Sequence, residues 1–248
     1  IHELAESVLK IGRPILGFVE QLKNQAGKNS DWVHFGASTY DMMDTARVLQ
    51  IKQAVSSIER KLVKTLGKFD VLMSDHGDAI MASRSNNMHS APQTFGLKIA
   101  VYAEEFMRHI ERLDAVKSRA LNVQLAGANG TLNSMEDKGI EIKLRFAEEL
   151  ELGSLDTFWH NARDGITELG QCLGLICSSV ARIGQNAAHL QSTEISEVCE
   201  TGERSRGRST TLPHKNNPRS AEFIEAVARL GRQRSMGLLE IMPQEHDR

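Results

Sequence analysis

The chain has 248 residues, with 30 lysines and arginines against 32 aspartates and glutamates, a formal net charge of −2 and 40% hydrophobic residues. That balance suits a globular protein with a large apolar core and excludes a polycationic nucleic-acid coat. No apolar run reaches the roughly 18 residues of a membrane span, and the opening IHELAESVLK lacks the pattern of a signal peptide, so a cytoplasmic protein is expected.

Helical periodicity then dominates. The spacing predicts a long helix over 41–74, where Val48, Ile51, Val55, Ile58, Leu62, Leu66, Phe69 and Leu72 recur mostly in steps of three and four. A second is expected over 94–121, through Ile99, Tyr102, Phe106, Ile110 and Leu113, and a shorter one over 137–150. The strictest heptad lies in 160–192: Ile166, Leu169, Leu173, Ile176, Val180, Ile183, Ala187 and Leu190. A last helix starts at NPRS, with Asn217 as N-cap and Pro218 in its first position, and runs toward Leu239. No alternating run predicts a strand. Helices longer than about 25 residues predict a bundle that self-associates. Cys172, Cys177 and Cys199 form no CxxC pair and read as free thiols in a reducing compartment. The chain starts without methionine and stops at QEHDR, which reads as the middle of a longer polypeptide.

Residues able to do chemistry gather in the breaks between helices. HExxH, GxGxxG and GxxxxGK[ST] motifs are absent, and His34, His89, His160 and His214 lie far apart, so no metal site is expected. In VHFGASTYDMMDTA, Ser38, Thr39 and Asp41 precede a helix and suit either an ordinary cap or a clamp for an anion. RSTTLPHKNNPRS is harder to read as ordinary. Lys215 sits just before a helix start, where the positive end of the dipole disfavours a second cation unless an anionic ligand is present. Ser209 lies six residues earlier. A serine hydroxyl becomes a base only where a charge or a set of amides lowers its pKa, and Arg204, Arg206, Arg208, Lys215 and Arg219 cluster around it. A solvated basic loop or a nucleic-acid arm has the same composition.

Together these segments resemble the fumarase/aspartase superfamily, whose third motif is G-S-S-x-M-P-x-K-x-N-P. Here it reads Arg208, Ser209, Thr210, Thr211, Leu212, Pro213, His214, Lys215, Asn216, Asn217, Pro218. The first motif, H-x-G-x-T-S-x-D, is matched by His34, Gly36, Ser38, Thr39 and Asp41, with Thr and Ser exchanged. The second, G-R-T-H-x-Q-x-A-x-P-x-T-F-G, is matched by Ser83, Arg84, Ser85, Asn86, Met88, Ser90, Pro92, Thr94, Phe95 and Gly96. GANGTL at 127–132 is similar to the family's G-A-x-G-T-L turn. WHNARD at 159–164 and QEHDR are similar to segments of the 3-carboxy-cis,cis-muconate cycloisomerase branch, which also lacks the histidine of the second motif.

The resemblance implies an all-α, long-helix bundle whose subunits assemble into a multi-helix tetramer core with shared active sites. Residues 1–95 would be the end of an N-terminal helical domain and the start of the bundle, and 96–248 the central bundle, without the family's C-terminal domain. It implies Ser209 as the base that removes a proton beside a carboxylate, and Lys215 and Asn217 as holders of carboxylate oxygens, helped by His34, Ser38 and Thr39. Arg84, Ser85, Thr210, His160 and Arg163 complete the implied substrate-binding set. Glu222 matches the glutamate that orients the catalytic histidine, but the histidine position is Asn86, and an amide cannot serve as leaving-group acid. The implied reaction is an isomerisation of a di- or tricarboxylate without cofactor, metal, nucleic acid or membrane. It would be a muconate-type cycloisomerisation or an epimerisation of an amino-dicarboxylate such as iminodisuccinate. A fumarate-releasing C–N lyase of the adenylosuccinate or argininosuccinate type, and a non-catalytic structural bundle, are the alternatives.

Overall fold

The computed structural model describes residues 2–13, 15–200 and 207–246. Arg204 and Arg206, two of the cations noted around Ser209, lie outside the described residues, as do the last two residues of QEHDR. Seven helices account for most of the chain: α1 His2–Ile11, α2 Ile15–Ala26, α3 Thr39–His76, α4 Phe95–Ala120, α5 Gly139–Glu149, α6 Asp164–Leu190 and α7 Arg219–Glu240. Short 3₁₀ turns occupy Gly27–Trp32 and Asn133–Lys138. Two strands, β1 Ile80–Ser85 and β2 Met88–Thr94, form an antiparallel hairpin. The all-α expectation holds apart from that hairpin. Helices α1 and α2 were not foreseen.

The hairpin falls where a loop was expected. Its register runs Ile80↔Thr94, Met81↔Gln93 and Ala82↔Pro92, slips once, and resumes with Arg84↔His89 and Ser85↔Met88. Asn86 and Asn87 form the two-residue turn with φ of 51° and 60°. Asparagine is among the few residues that tolerate this left-handed geometry, which tight hairpin turns require. The polar strands never alternate with apolar residues because the hairpin is mostly exposed, so it has no strand signature.

The chain packs as two compact units that do not follow chain order. The first comprises Ile1–Gln53, Leu121–Arg163 and Gln244–Arg248; the second comprises Ala54–Ala120 and Asp164–Pro243. The boundary expected near residue 95 falls at the start of α4, inside the second unit. Along α3, Val48, Val55, Leu62 and Phe69, spaced by seven, are buried within this single chain. In the second unit Phe69 meets Phe106 edge-on, with ring centroids 5.3 Å apart, and Lys117 pairs with Glu59 at 2.5 Å.

Helix α4 buries Ile99, Tyr102, Phe106, His109, Leu113, Val116 and Ala120, an unbroken alternation of three and four in which a histidine occupies one core position. Helix α6 differs from its expected stripe. Leu169, Ile176 and Leu190 are buried, but Ile166, Leu173, Val180, Ile183 and Ala187 are only half-buried. Much of the deepest surface belongs instead to Thr167, Gly170, Gly174, Ser179, Ala181 and Gly184. The reason is close approach to α7. A Cβ on Gly174 would lie 2.9 Å from Ser235 Cβ, one on Gly231 2.5 Å from Cys177 Sγ, and one on Gly184 2.9 Å from Ile224 Cγ2. Only hydrogen fits at these crossings. The last helix begins at Arg219 with Pro218 as its cap residue, so Asn217 is not the N-cap. Its side-chain amide donates instead to the Gly207 carbonyl at 2.8 Å.

Between α4 and α6 the buried His109 joins a directed network. Arg112 Nη1 donates to His109 Nδ1 at 3.3 Å, which leaves the imidazole proton on Nε2, and Nε2 donates to Ser179 Oγ at 2.7 Å. Ser179 donates to Glu105 Oε1 at 2.7 Å, and Arg182 pairs with the other oxygen of Glu105. Burial pushes the Glu105 carboxyl up, but the Ser179 bond and Arg182 outweigh it and hold the group below the usual range. Burial first, then Arg112 and Arg108, push the His109 imidazole down. Its folded pKa therefore lies below its unfolded value. The unfolded chain takes up the proton first as pH falls, so stability is complete above the ordinary histidine range and declines through and below it. We expect His109→Gln to flatten the loss of stability between about pH 7.5 and about pH 5, measured by urea denaturation. An unchanged slope would show that His109 does not set it.

Candidate functional site

In the first unit the polar residues at the start of α3 point inward. Asp41 and Asp44 are each 1% exposed. Asp41 Oδ2 accepts from the Ser38 backbone amide at 2.8 Å and from the Gly127 amide at 2.9 Å. Gly127 has a φ of +75°, and a Cβ there would lie 3.0 Å from the Gly36 carbonyl oxygen, so only glycine lets this turn reach Asp41. Thr45 Oγ1 donates to the Gln124 carbonyl at 3.0 Å and accepts the Gln124 amide at 2.9 Å. Trp159 donates its amide to Gln124 Oε1 at 3.1 Å and its indole N–H to the Val123 carbonyl at 2.9 Å. The VHFGASTYDMMDTA segment thus acts as a buried clasp on the 121–127 strip.

Asp44 brings two predicted site residues together. Arg163 Nη2 donates to Asp44 Oδ2 at 2.9 Å, and His160 Nδ1 lies 3.9 Å from the same oxygen. Arg47 contributes a third contact at 3.3 Å. Arg163 also lies over the Trp159 ring at 5.1 Å, and Tyr40 meets His160 edge-on. Ser38, Thr39 and His34 are half-buried in the entry to α3; His34 adopts a left-handed φ of 63°, and its Nε2 is buried without a hydrogen-bond partner among the described residues. This unit therefore offers an imidazole and a guanidinium at the buried Asp44, and an open imidazole nitrogen on His34.

In the second unit the predicted residues form two groups. The first is the hairpin. Arg84 makes a two-pronged pair with Glu197, at 2.9 and 2.5 Å, and the bond to Arg84 holds the Glu197 carboxyl below its usual range against burial. Ser85 and Asn86 are exposed at the tip. Arg84, Asn86, Lys98, Asn186 and His189 border a cavity of about 340 Å³.

The second group is the loop 207–218. Gly207, with φ of +82°, accepts from both the amide and the side chain of Asn217, each at 2.8 Å, and closes the loop at its base. The Ser209 amide donates to the Lys215 carbonyl at 3.2 Å, placing the two residues across one turn. The Ser209 hydroxyl oxygen accepts the amides of Thr211 at 3.3 Å and Leu212 at 3.1 Å. Thr210 is exposed between them. Lys215 and Asn217 line a cavity of about 550 Å³ with Gln191, Ser192, Cys199 and His214. Among the described residues Lys215 enters no ion pair. Glu222, in the first turn of α7, accepts from Arg219 at 2.8 Å on its own helix.

Several contributors were not foreseen. Glu200 accepts the Ser220 and Ala221 amides at 3.1 and 2.9 Å, so the N-terminus of α7 already holds a carboxylate. Gln191 ties Asn216 to Glu200 through both ends of its amide. Lys98 donates to Asn186 Oδ1 at 3.1 Å. Lys98 carried a signal, as a cation on the first turn of a helix directly after the second motif. Gln191, Glu197 and Glu200 carried none. Among the described residues no group of three or more His, Cys, Asp or Glu is arranged to hold a metal ion, and no helix is long and apolar enough to cross a membrane.

Against known families, the sequence model described as Lyase matches residues 5–230. The chain belongs to the fumarase/aspartase superfamily. Within it, the chain is 36% identical over 239 residues to trans-aconitate decarboxylase 1 of Mycosarcoma maydis, covering 96% of this chain and 48% of that protein. It is 33% identical to the 3-carboxy-cis,cis-muconate cycloisomerase of Pseudomonas aeruginosa, covering 99% and 54%. A solved fumarate lyase structure from Mesorhizobium sp. BNC1 superposes with a TM-score of 0.90 at 35% identity, over 100% of this chain and 55% of that one. This superfamily chain thus spans about half the length of the curated relatives it matches.

The clasp in the first unit makes one prediction. Replacing Asp44 by Ala leaves Arg163 without its buried anion, and we expect a loss of about 3 kcal/mol or more in urea denaturation. A loss below about 1 kcal/mol would mean that the carboxylate does not organise this group.

Proposed function

We propose that this protein removes a proton from the carbon beside a carboxylate of a small di- or tricarboxylate and returns it elsewhere, as an isomerase of the cycloisomerase or epimerase type. The observation that carries this reading is the Ser209 hydroxyl, which accepts two backbone amides while its own amide is bonded to the carbonyl of Lys215. Two amide donors favour the alkoxide over the hydroxyl, which is what a serine base needs. The substrate's proton leaves as that alkoxide becomes a hydroxyl, and the electron pair moves into the neighbouring carboxylate. The resulting dianion needs positive partners, and among the described residues Lys215 is a cation without an ion-paired carboxylate. Asn217 would hold the loop closed at Gly207, with Thr210 and Ser85 offering hydroxyl donors.

Asn86 favours isomerisation over elimination. Its amide has no proton to give to a departing amine, whereas epimerisation and ring closure release no such group. The cycloisomerase relatives support the same outcome. The second reading, a fumarate-releasing C–N lyase, is supported by the fumarate lyase likeness over the whole chain. Incubation with a panel of di- and tricarboxylates in deuterium oxide, followed by NMR, separates the two: isomerisation gives exchange or inversion without fumarate, and elimination gives fumarate.

If Ser209 is the base, Ser209→Ala lowers kcat by about 10²- to 10⁴-fold with little change in melting temperature. A variant that keeps more than half the activity removes Ser209 from the mechanism. The reading includes a homotetramer in the cytoplasm, in which first-unit residues of one subunit meet the loops of others. Phe223, Val227 and Leu230 on α7 are exposed at 65%, 66% and 62% and sit at the three- and four-residue spacing of a packing face, which supports self-association. Light scattering on the purified protein should give four times the subunit mass. A stable monomer that turns over substrate would contradict the assembly.

A further inference from the structure

We propose that Lys98 is the proton donor of this reaction, acting from the cavity that Asn86 borders. The inference rests on the proton-abstraction reading above and identifies the group that returns the proton.

The cavity holds few groups able to give up a proton. Asn86 and Asn186 are amides. Arg84 keeps its proton at any working pH and is engaged on both sides by Glu197. Among the described residues two ionisable groups remain, Lys98 and His189. His189 sits exposed in the last turn of α6, whereas Lys98 is half-buried in the first turn of α4. A single acceptor orients it: Asn186 Oδ1 takes one N–H of Lys98 at 3.1 Å and the Tyr102 hydroxyl at 3.0 Å. An ammonium has three protons, so two stay available to a substrate in the cavity. Among the described residues Lys98 enters no ion pair.

The surroundings suit an acid. Burial first, then the Arg84 and Arg182 cations, push the Lys98 ammonium down, and Glu197 opposes them without reversing the shift. Arg182 is held at the ring of Tyr102, 5.0 Å from its centroid, so the cation stays close. A general acid works best when its pKa approaches the working pH, and these groups move lysine in that direction.

The step balances without a further reactant. Ser209, as alkoxide, takes the proton from carbon, and the C–H electron pair enters the carboxylate. One N–H bond of Lys98 then breaks, its proton bonds to the carbon that ends the isomerisation, and the electron pair returns to that bond. Lys98 is left as a neutral amine. Water carries a proton from the Ser209 hydroxyl back to the amine and resets both groups. The step is the same whether the two side chains come from one subunit or from two.

The test compares wild type, Lys98→Gln, Lys98→Arg and His189→Gln on the carboxylate panel in deuterium oxide, with a matched melting curve for each. Deuterium exchange reports proton abstraction; net conversion reports proton return. Both Lys98 variants should lose about 10²- to 10⁴-fold in kcat while exchange persists. Arginine keeps the charge but cannot donate its proton, so a merely electrostatic lysine would be rescued by it and an acid would not. The fall of kcat at high pH in the wild type should be absent from the residual activity of Lys98→Gln. Near-normal kcat in Lys98→Arg overturns the assignment, as does loss of the alkaline limb in His189→Gln instead. If Lys98→Gln fails to fold, the arginine variant decides alone. A wild type with neither exchange nor conversion on the panel refutes proton abstraction itself, and the role of Lys98 with it. Exchange in the wild type together with full conversion in the Lys98 variants refutes only Lys98.

Discussion

The approach of α7 to α6 is the constraint on which the second unit depends. At Gly170, Gly174, Gly184 and Gly231 the two helices meet where a methyl group would overlap Leu238, Ser235, Ala221 or Ile224, and Cys177. Dispersion contacts are short-ranged, so a closer axis brings more atoms into their wells, and any added carbon turns attraction into overlap. The seam also fixes where α6 ends and α7 begins. The connection between them carries the 207–218 loop, and Gln191 and Glu200 tie its near side to Asn216 and to the first amides of α7. A loop held at both ends by helices that cannot slide can keep a serine hydroxyl at hydrogen-bond distance from two amides.

Charge is distributed on the same economical pattern in both units. Several cations at the core have a carboxylate: Arg163 has Asp44, Arg84 has Glu197, Arg182 has Glu105, whereas the buried Lys143 donates to the Leu155 and Thr157 carbonyls. Even the positive end of α7 is matched, by Glu200. Buried charge without a partner is costly, and a fold of near-zero net charge can afford few such sites. Lys98 and Lys215 stand out against this background. Each borders a cavity, and among the described residues neither forms an ion pair with a carboxylate. A substrate carrying two or three carboxylates would supply the missing counter-charge, which ties the electrostatics of the fold to the chemistry proposed for it.

Polar residues in the long helices show a second use of the same principle. His109 takes a place in the apolar stripe of α4, yet it is satisfied on both nitrogens by Arg112 and Ser179. Asp41 at the entry to α3 likewise suits a cap in sequence but also reaches Gly127, and Asp44 and Thr45 a turn further on are spent on Arg163 and Gln124. In each case the polar group gives direction to packing that apolar contacts alone would leave free to rotate.

Several features were determined by local sequence. The periodic stripes placed five helices to within a few residues, because a helix that buries one face must repeat its apolar side chains every three or four positions. The three motifs and their order were legible because the family's chemistry is concentrated in short loops, and short loops keep their residues adjacent. Tertiary structure decided the rest. The hairpin at 80–94 forms from residues without strand periodicity, since neither of its faces is buried and no core demands alternation. The heptad of α6 suggested a stripe of large residues, yet glycines share the buried face while five of the eight heptad residues are only half-buried, because which face meets a neighbour depends on how closely that neighbour comes. Asn217 has the composition of a cap but closes a loop, as the Gly207 carbonyl lies within its reach and the α7 amides are taken by Glu200. Sequence spacing determines which side chains share a helix face. Only the folded chain determines which donor and acceptor come within 3 Å, because hydrogen bonds and ion pairs act between residues the chain separates widely.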